Sequence, residues 1–151
     1  MDEPDFGVLL SVAYGTFFEQ LHEHMDELGF DGYSTRTGFV LRVLAPDGQS
    51  RALSLRQIAD LLEMSSPAAL KVVDAMERDG YVERVPAPGD RRVRAVAPTA
   101  RGHTALAAAR RFHSDFESRL GADAPALRAG LAVIAAQASA AIPRVLRRPT
   151  A

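Results

Sequence analysis

The residues best suited to chemistry in this chain are cations that follow one short turn. Residues 86–90 read Pro-Ala-Pro-Gly-Asp, a pattern typical of a turn. Arg91, Arg92 and Arg94 come directly after it. A guanidinium on a protruding turn can bind phosphate oxygens or enter the minor groove of a DNA duplex. Arg94 alternates with the apolar Val93, so it is equally well explained as a solvated strand residue.

Little in the sequence supports an enzyme, a metal site or a bound cofactor. The chain has no cysteine, which excludes disulfides, thiolate metal ligands and cysteine oxidation as a trigger. His22 and His24 are two residues apart and point to different faces of a helix, whereas His103 and His113 are ten apart. We therefore expect no metal and no cofactor, and histidines that are either hydrogen-bonded or exposed.

Two short helices precede the turn. Ser54 and Gln57 form a capping-box pattern that opens the first of them. Ser66 as the N-cap and Pro67 at the first helical position open the second, and Gly80 ends it. The buried stripe expected on this second helix is Ala69, Val72, Val73 and Met76.

Two predicted strands flank the turn and form a hairpin, the wing. Residues 81–85 and 93–97 alternate apolar and polar side chains, as half-buried strands do. The order helix, turn, helix, strand, turn, strand is that of a winged helix-turn-helix, whose second helix places its N-terminal residues in the major groove. The residues expected to contact DNA are Ser65, Ser66, Pro67, Ala68, Leu70 and Lys71 on this helix, and Arg91, Arg92 and Arg94 on the wing.

Longer helices enclose this unit. Apolar residues at helical spacing predict one helix over residues 5–29, a second over 34–44, a third from residue 99, and a fourth from about residue 123 to Pro143. The first of these has a second apolar face, formed by Phe6, Leu9, Leu10 and Val12. The predicted fold class is mainly α, a winged helix-turn-helix with a two-stranded wing and long N- and C-terminal helices.

The net charge hides a polarity along the chain. The 151 residues carry 18 Lys and Arg against 19 Asp and Glu, a net charge of −1. Residues 1–50 hold nine acids and two bases, whereas residues 51–103 hold nine bases and seven acids. Non-specific attraction to DNA should therefore be weak, so that affinity depends on a few placed arginines. The acidic start is the reverse of a signal peptide and no apolar stretch is long enough to cross a bilayer, so we expect a cytoplasmic protein without a membrane partner.

Residues 53–102 resemble the core of the MarR family of bacterial transcription regulators. The positions that match are Asp90 and Arg92 in the wing, Thr99 and Gly102 at the next helix start, and Met76-Glu77 before Gly80-Tyr81-Val82. The order and length of the flanking helices extend the resemblance over nearly the whole chain. It implies one domain over residues 1–151, with a DNA-binding lobe at 34–103 and a dimerisation region at 5–33 and 104–148. It also implies that Asp90 is architectural and holds the wing arginine, although the two could merely pair within the turn.

The resemblance further implies a homodimer on double-stranded DNA, expected to act as a repressor. Two recognition helices related by a two-fold axis should read a near-palindromic site with half-sites roughly 34 Å apart. Pro67, Ala68 and Leu70 depart from the polar residues common in the family, which favours contacts with thymine methyl groups and readout of groove shape. Pro98 replaces the usual Leu, so the second strand should end early. The alternative function is a winged-helix module that binds proteins and not DNA.

Members of the family often bind small phenolic or carboxylate ligands, and ligand binding weakens DNA binding. Rings and a cation suited to an aromatic or carboxylate effector lie near the junction of the first two long helices. The residues expected to line this pocket are Tyr14, Phe18, His22, Tyr33, Arg36 and Phe39. The competing explanation is that these rings belong to the dimer core.

Overall fold

Six α-helices and one β-hairpin form residues 2–138, the part of the chain that this computed structural model describes. The elements are α1 (Phe6–Glu27), α2 (Thr35–Leu44), α3 (Leu55–Leu62), α4 (Ser66–Arg78), β1 (Val82–Ala87), β2 (Asp90–Pro98), α5 (Ala100–Arg119) and α6 (Ala124–Ala135). Short 3-10 turns occupy Pro46–Gly48 and Gly121–Asp123. The arrangement confirms the mainly α winged helix-turn-helix with a two-stranded wing.

The core is built around α2. Ser34 caps this helix by accepting a hydrogen bond from the Thr37 N–H, and the Thr37 hydroxyl accepts one from the Ser34 N–H, both at 3.2 Å. The side chains that α2 buries completely are Val40, Leu41, Val43 and Leu44. Burying a side chain of this size contributes about 1.5–3 kcal/mol. Because α2 packs against α3, α4, α5 and β2, it fixes the winged-helix elements relative to one another.

The wing strands β1 and β2 pair antiparallel, and both are longer than the sequence predicts. The prediction that Pro98 ends the second strand early is wrong. Pro98 is the last residue of β2 and lies opposite Val82. At the end of a strand, the N–H that proline lacks costs the sheet little, so the strand can extend up to and include Pro98. Leu53 forms a bridge to Val96 on the other edge of β2, which ties the segment before α3 to the sheet.

The terminal helices leave much apolar surface exposed. Leu21 and Met25 are the buried residues of α1, and α6 has none. The large apolar side chains exposed on these two helices are Phe6, Val8, Leu9, Val12, Tyr14, Leu127, Leu131, Val133 and Ile134. Of the second apolar face expected on the first helix, Phe6, Leu9 and Val12 are therefore open, whereas Leu10 is partly buried. The expected continuation to Pro143, and the end of the dimerisation region at residue 148, lie outside the described residues. Within residues 2–138, no helix is long and apolar enough to span a membrane.

The junction between the wing and α5 has no room for a side chain at Gly102. A Cβ there would overlap the carbonyl oxygen of Tyr81 and lie 3.1 Å from Leu41. We expect Gly102→Ala to lower the free energy of unfolding by about 1–3 kcal/mol, as overpacking does, and urea denaturation measures it. Gly7→Ala, whose Cβ would have no neighbour within 4 Å, is the control and should leave stability unchanged or slightly raised. Equal losses in the two variants would contradict the steric argument.

His113 on α5 is half-buried, and its ring centroid lies 5.0 Å from that of Phe17 on α1. Burial, and then the charge of Arg42, lower the pKa of His113 from 6.5 to about 4. Because the unfolded state binds the proton more tightly, this group should make the fold less stable as the pH falls from about 6.5 to about 4. We expect His113→Gln to lose less stability than the wild type between pH 7 and pH 4.5 in urea titrations. An identical loss in both proteins would show that His113 does not contribute to the acid sensitivity.

Candidate nucleic-acid interface

The N-terminus of α4, which we call the recognition helix, begins one residue earlier than the sequence predicts. Ser65 is the N-cap, with extended backbone, and its hydroxyl accepts a hydrogen bond from the Ala68 N–H at 3.2 Å. The prediction that Ser66 is the N-cap is wrong by one position, since Ser66 is the first helical residue and Pro67 the second. Two adjacent serines fit the cap equally well in sequence, and a proline is tolerated at either position of the first turn because the N–H it lacks has no partner inside the helix.

Most of the recognition-helix residues expected to contact DNA lie on one open surface. Ser65, Ser66, Pro67, Leu70 and Lys71 are exposed, whereas Ala68 is half-buried. The opposite side of the helix buries Ala69, Val73 and Met76. The expected fourth member of this stripe, Val72, is only partly buried. The helix can therefore present its first two turns to a groove while its other face remains fixed to the core.

The wing presents three exposed arginines. Arg91, Arg92 and Arg94 make no ion pair with any residue of the described chain. Asp90 accepts a hydrogen bond from the backbone N–H of Arg92 at 3.0 Å. The turn before it contains Gly89 at a φ of 84°, a conformation that glycine adopts without strain. Asp90 thus braces the main chain of the turn and leaves the guanidinium of Arg92 open to a phosphate.

One residue that fastens the wing to the recognition helix was missed at the sequence level. The Arg84 guanidinium on β1 lies 2.7 Å from Asp74 and 3.5 Å from Glu77, both on α4. An exposed pair of this kind contributes at most about 1 kcal/mol, so its main effect is on orientation. The signal available in the sequence was the spacing of the two acids, which places them on one face of a helix. Nothing local indicates which arginine faces them.

The six residues expected to form an effector pocket do not line one cavity within the described chain. The ring centroids of Tyr14 and Phe18 on α1 are 4.6 Å apart, and His22 follows one turn later. Tyr33 is buried in the core with its ring perpendicular to that of Tyr81. The remaining two residues, Arg36 and Phe39, are on α2 and face α4. The six side chains therefore fall into three separate groups.

His22 also departs from the expectation for the histidines. Its Nε2 atom is buried and has no hydrogen-bond partner among the described residues. Elsewhere in residues 2–138, no group of three or more His, Asp or Glu residues is arranged to hold a metal ion.

A groove between α2 and the recognition helix, the α2–α4 groove, brings Arg36 and Phe39 close to the DNA-facing surface. It consists of two adjoining clefts of about 190 and 260 Å³ that share Arg36 and Val72. Lys71 lines the first cleft and Ala68 the second. The α2–α4 groove therefore has a largely apolar lining with two cations, Arg36 and Lys71, and one carboxylate, Asp79. It lies directly behind the surface expected to contact DNA.

Comparison with known proteins agrees with this geometry. Residues 32–93, which include the recognition helix and the tip of the wing, match the model of the MarR family. The matched segment makes this part of the chain similar to the MarR family of transcription regulators. A search of curated proteins finds no significant match.

Solved structures of similar fold cover most of the chain. The heme sensor protein PefR from Streptococcus agalactiae, in complex with heme, is 20% identical with a TM-score of 0.65, over 87% of this chain and 90% of that one. CouR from Rhodococcus jostii RHA1, bound to p-coumaroyl-CoA, is 25% identical with a TM-score of 0.60, over 90% and 95%. A point mutant of S. aureus MepR, bound to an oligodeoxyribonucleotide, is 18% identical with a TM-score of 0.57, over 87% and 96%.

The assignment of the N-cap can be tested with two adjacent substitutions. We expect Ser65→Ala to lower the free energy of unfolding by about 1 kcal/mol, because the Ala68 N–H loses its acceptor. Ser66→Ala removes the neighbouring hydroxyl without touching the cap and should change stability by less than about 0.5 kcal/mol. Thermal and urea unfolding compare the two proteins. A larger loss of stability in Ser66→Ala than in Ser65→Ala would show that Ser66 is the N-cap.

Proposed function

We propose that this protein is a dimeric DNA-binding transcription regulator, a repressor that leaves its operator when a small acidic ligand binds. The observation that carries the proposal is one exposed surface. The open N-terminal turns of the recognition helix and the wing arginines, Arg91, Arg92 and Arg94, belong to the same winged-helix unit. A surface of this kind suits major-groove reading by a helix and phosphate or minor-groove contacts by a wing.

A second copy of the chain is the partner that the terminal helices suit best. The exposed fractions of Phe6 and Val133 are 70% and 63%, which is unusual for large apolar side chains in a protein that remains a monomer. Pairing α1 and α6 with those of another copy would cover this surface. It would also set two recognition helices at a fixed separation, as a near-palindromic operator requires.

The α2–α4 groove is the best candidate for the effector site within one chain. The side chains of Arg36 and Lys71 make no hydrogen bond or ion pair within the described residues, and these two cations outnumber Asp79, the acid that also lines the first cleft. A carboxylate would therefore find a net positive charge beside an apolar floor. A ligand releases DNA only if it binds the released state more tightly than the DNA-bound one. Since the duplex is the proposed partner, we expect the protein to act in the cytoplasm of a bacterial cell.

The salt dependence of DNA binding tests the role of the wing. The duplexes are DNA flanking the protein's own gene and sequences selected by the wild type from a random pool. We expect Arg92→Ala to weaken binding and to make the slope of log K against log salt shallower by roughly 0.9 for each phosphate that is no longer neutralised, or roughly 1.8 for a dimer. Arg111→Ala, an exposed arginine on α5, is the control and should leave the slope unchanged.

Two outcomes would overturn the proposal. If the wild type binds no duplex at low salt, DNA binding fails and a protein-binding winged-helix module becomes the better explanation. If DNA binds but the slope is the same in Arg92→Ala and in the triple variant Arg91→Ala, Arg92→Ala, Arg94→Ala, the wing does not contact phosphate and the surface on which the proposal rests does not bind DNA.

A further inference from the structure

Two helices end in the same way at one place in the fold. In α1, the N–H of Gly29 bonds to the Asp26 carbonyl at 2.9 Å and that of Phe30 to the Met25 carbonyl at 2.9 Å. This is the Schellman pattern, with glycine at positive φ and an apolar residue after it. The α1 helix, proposed above to form the dimer, therefore has a defined glycine cap.

The recognition helix α4 repeats the pattern. The N–H of Gly80 bonds to the Glu77 carbonyl at 3.1 Å and that of Tyr81 to the Met76 carbonyl at 2.9 Å. Gly80 has a φ of 82°. The proposed dimer helix and the proposed reading helix thus both end in a glycine followed by an aromatic residue.

Arg101, in the first turn of α5, binds both helix ends at once. Its Nε donates to the carbonyl of Asp79, just after α4, at 3.1 Å, and its Nη2 donates to the carbonyl of Gly29, just after α1, at 2.8 Å. The same guanidinium lies 5.2 Å from the ring centroid of Phe30 and 5.0 Å from that of Tyr81. A cation suits the carbonyl ends of two helices, and cation–π contacts with the two rings add to its attraction.

Two further contacts join the same two chain segments. The Tyr81 hydroxyl donates to the Asp31 carbonyl at 2.6 Å. Burial raises the pKa of Tyr81 to about 12, so the hydroxyl keeps its proton at neutral pH. Gly32, just beyond, approaches Asp79 so closely that a Cβ would overlap that carboxylate. Residues 29–32 and 79–81 are therefore held together at several points, with Arg101 between them.

We infer that Arg101 is a positioning residue that locks the end of the recognition helix to the end of the dimer helix and so sets the separation of the two reading helices in the dimer. The inference rests on the proposed function, because a fixed separation matters only for a dimer on a two-part site. Arg101 acts here without touching DNA. Removing its side chain should widen the range of distances between the two recognition helices of the dimer and leave the DNA-contacting surface of each helix unchanged.

The decisive measurement compares a duplex that carries two half-sites with one in which a half-site is scrambled. The parent duplex is a sequence selected by the wild type from a random pool. We expect Arg101→Ala to bind the two-site duplex at least roughly tenfold more weakly, the scale set by removing hydrogen bonds from a charged group. Binding to the single-site duplex should stay within about twofold, and the salt slope should not change.

Lysine and phenylalanine variants separate positioning from simple loss of folding. Arg101→Lys keeps the charge but lacks the planar fork that reaches two carbonyls, so we expect it to behave more like Arg101→Ala than like the wild type. Tyr81→Phe keeps the ring but removes the hydroxyl, which bonds to Asp31 and also interacts with Arg101. It should shift the preference for two half-sites in the same direction by a smaller factor. Arg111→Ala is the matched control and should retain wild-type affinity for both duplexes.

Hydrogen exchange on the free protein tests the lock without DNA. In Arg101→Ala, amides at residues 29–33 and 79–82 should both exchange faster, whereas Arg111→Ala should change neither segment. Faster exchange at one segment only, or an equal loss of affinity for both duplexes, would overturn the inference. If the wild type binds no duplex, the proposed function fails, and the exchange result still decides whether Arg101 joins the two helix ends.

Discussion

The close approach of α5 to the chain that leaves the recognition helix is the contact on which the rest of the structure depends. The Thr99 hydroxyl donates to the Gly80 carbonyl at 2.6 Å and accepts the Gly102 N–H at 3.0 Å. One side chain therefore caps α5 and binds the end of α4. Because Gly102 has no side chain, the helix can press against the backbone of Tyr81. This contact joins the wing, the recognition helix and the long α5 helix at one point, against the core that α2 fills.

Local signals made much of the fold predictable. The capping box at Ser54 and Gln57 is present in both directions, with bonds of 2.9 and 3.1 Å. Thr99 and Gly80 stand where a helix start and a helix end were expected. These features succeed because a cap or a turn is decided by a few adjacent residues. The one-residue shift from Ser66 to Ser65 has the same origin, since the local pattern fits both.

The parts that escaped prediction depend on residues far apart in the chain. Arg84 meets Asp74 across two elements, and Arg101 meets Gly29 over 72 positions. Neither arginine stands out by type, because the chain is rich in arginine at the surface. The six residues expected to line an effector pocket lie in three separate groups within one chain for a related reason. The prediction grouped the aromatic residues because they are close in sequence. In the folded chain, Tyr33 is buried in the core and Phe39 faces α4.

Lys71 is the only lysine in the sequence, and it lies where the α2–α4 groove meets the exposed surface of the recognition helix. Apart from the chain's amino terminus, it is therefore the one primary amine available for selective acylation. A fluorophore attached there would sit beside both the groove and the proposed DNA surface. Occupancy of either surface would therefore change the surroundings of a single labelled residue.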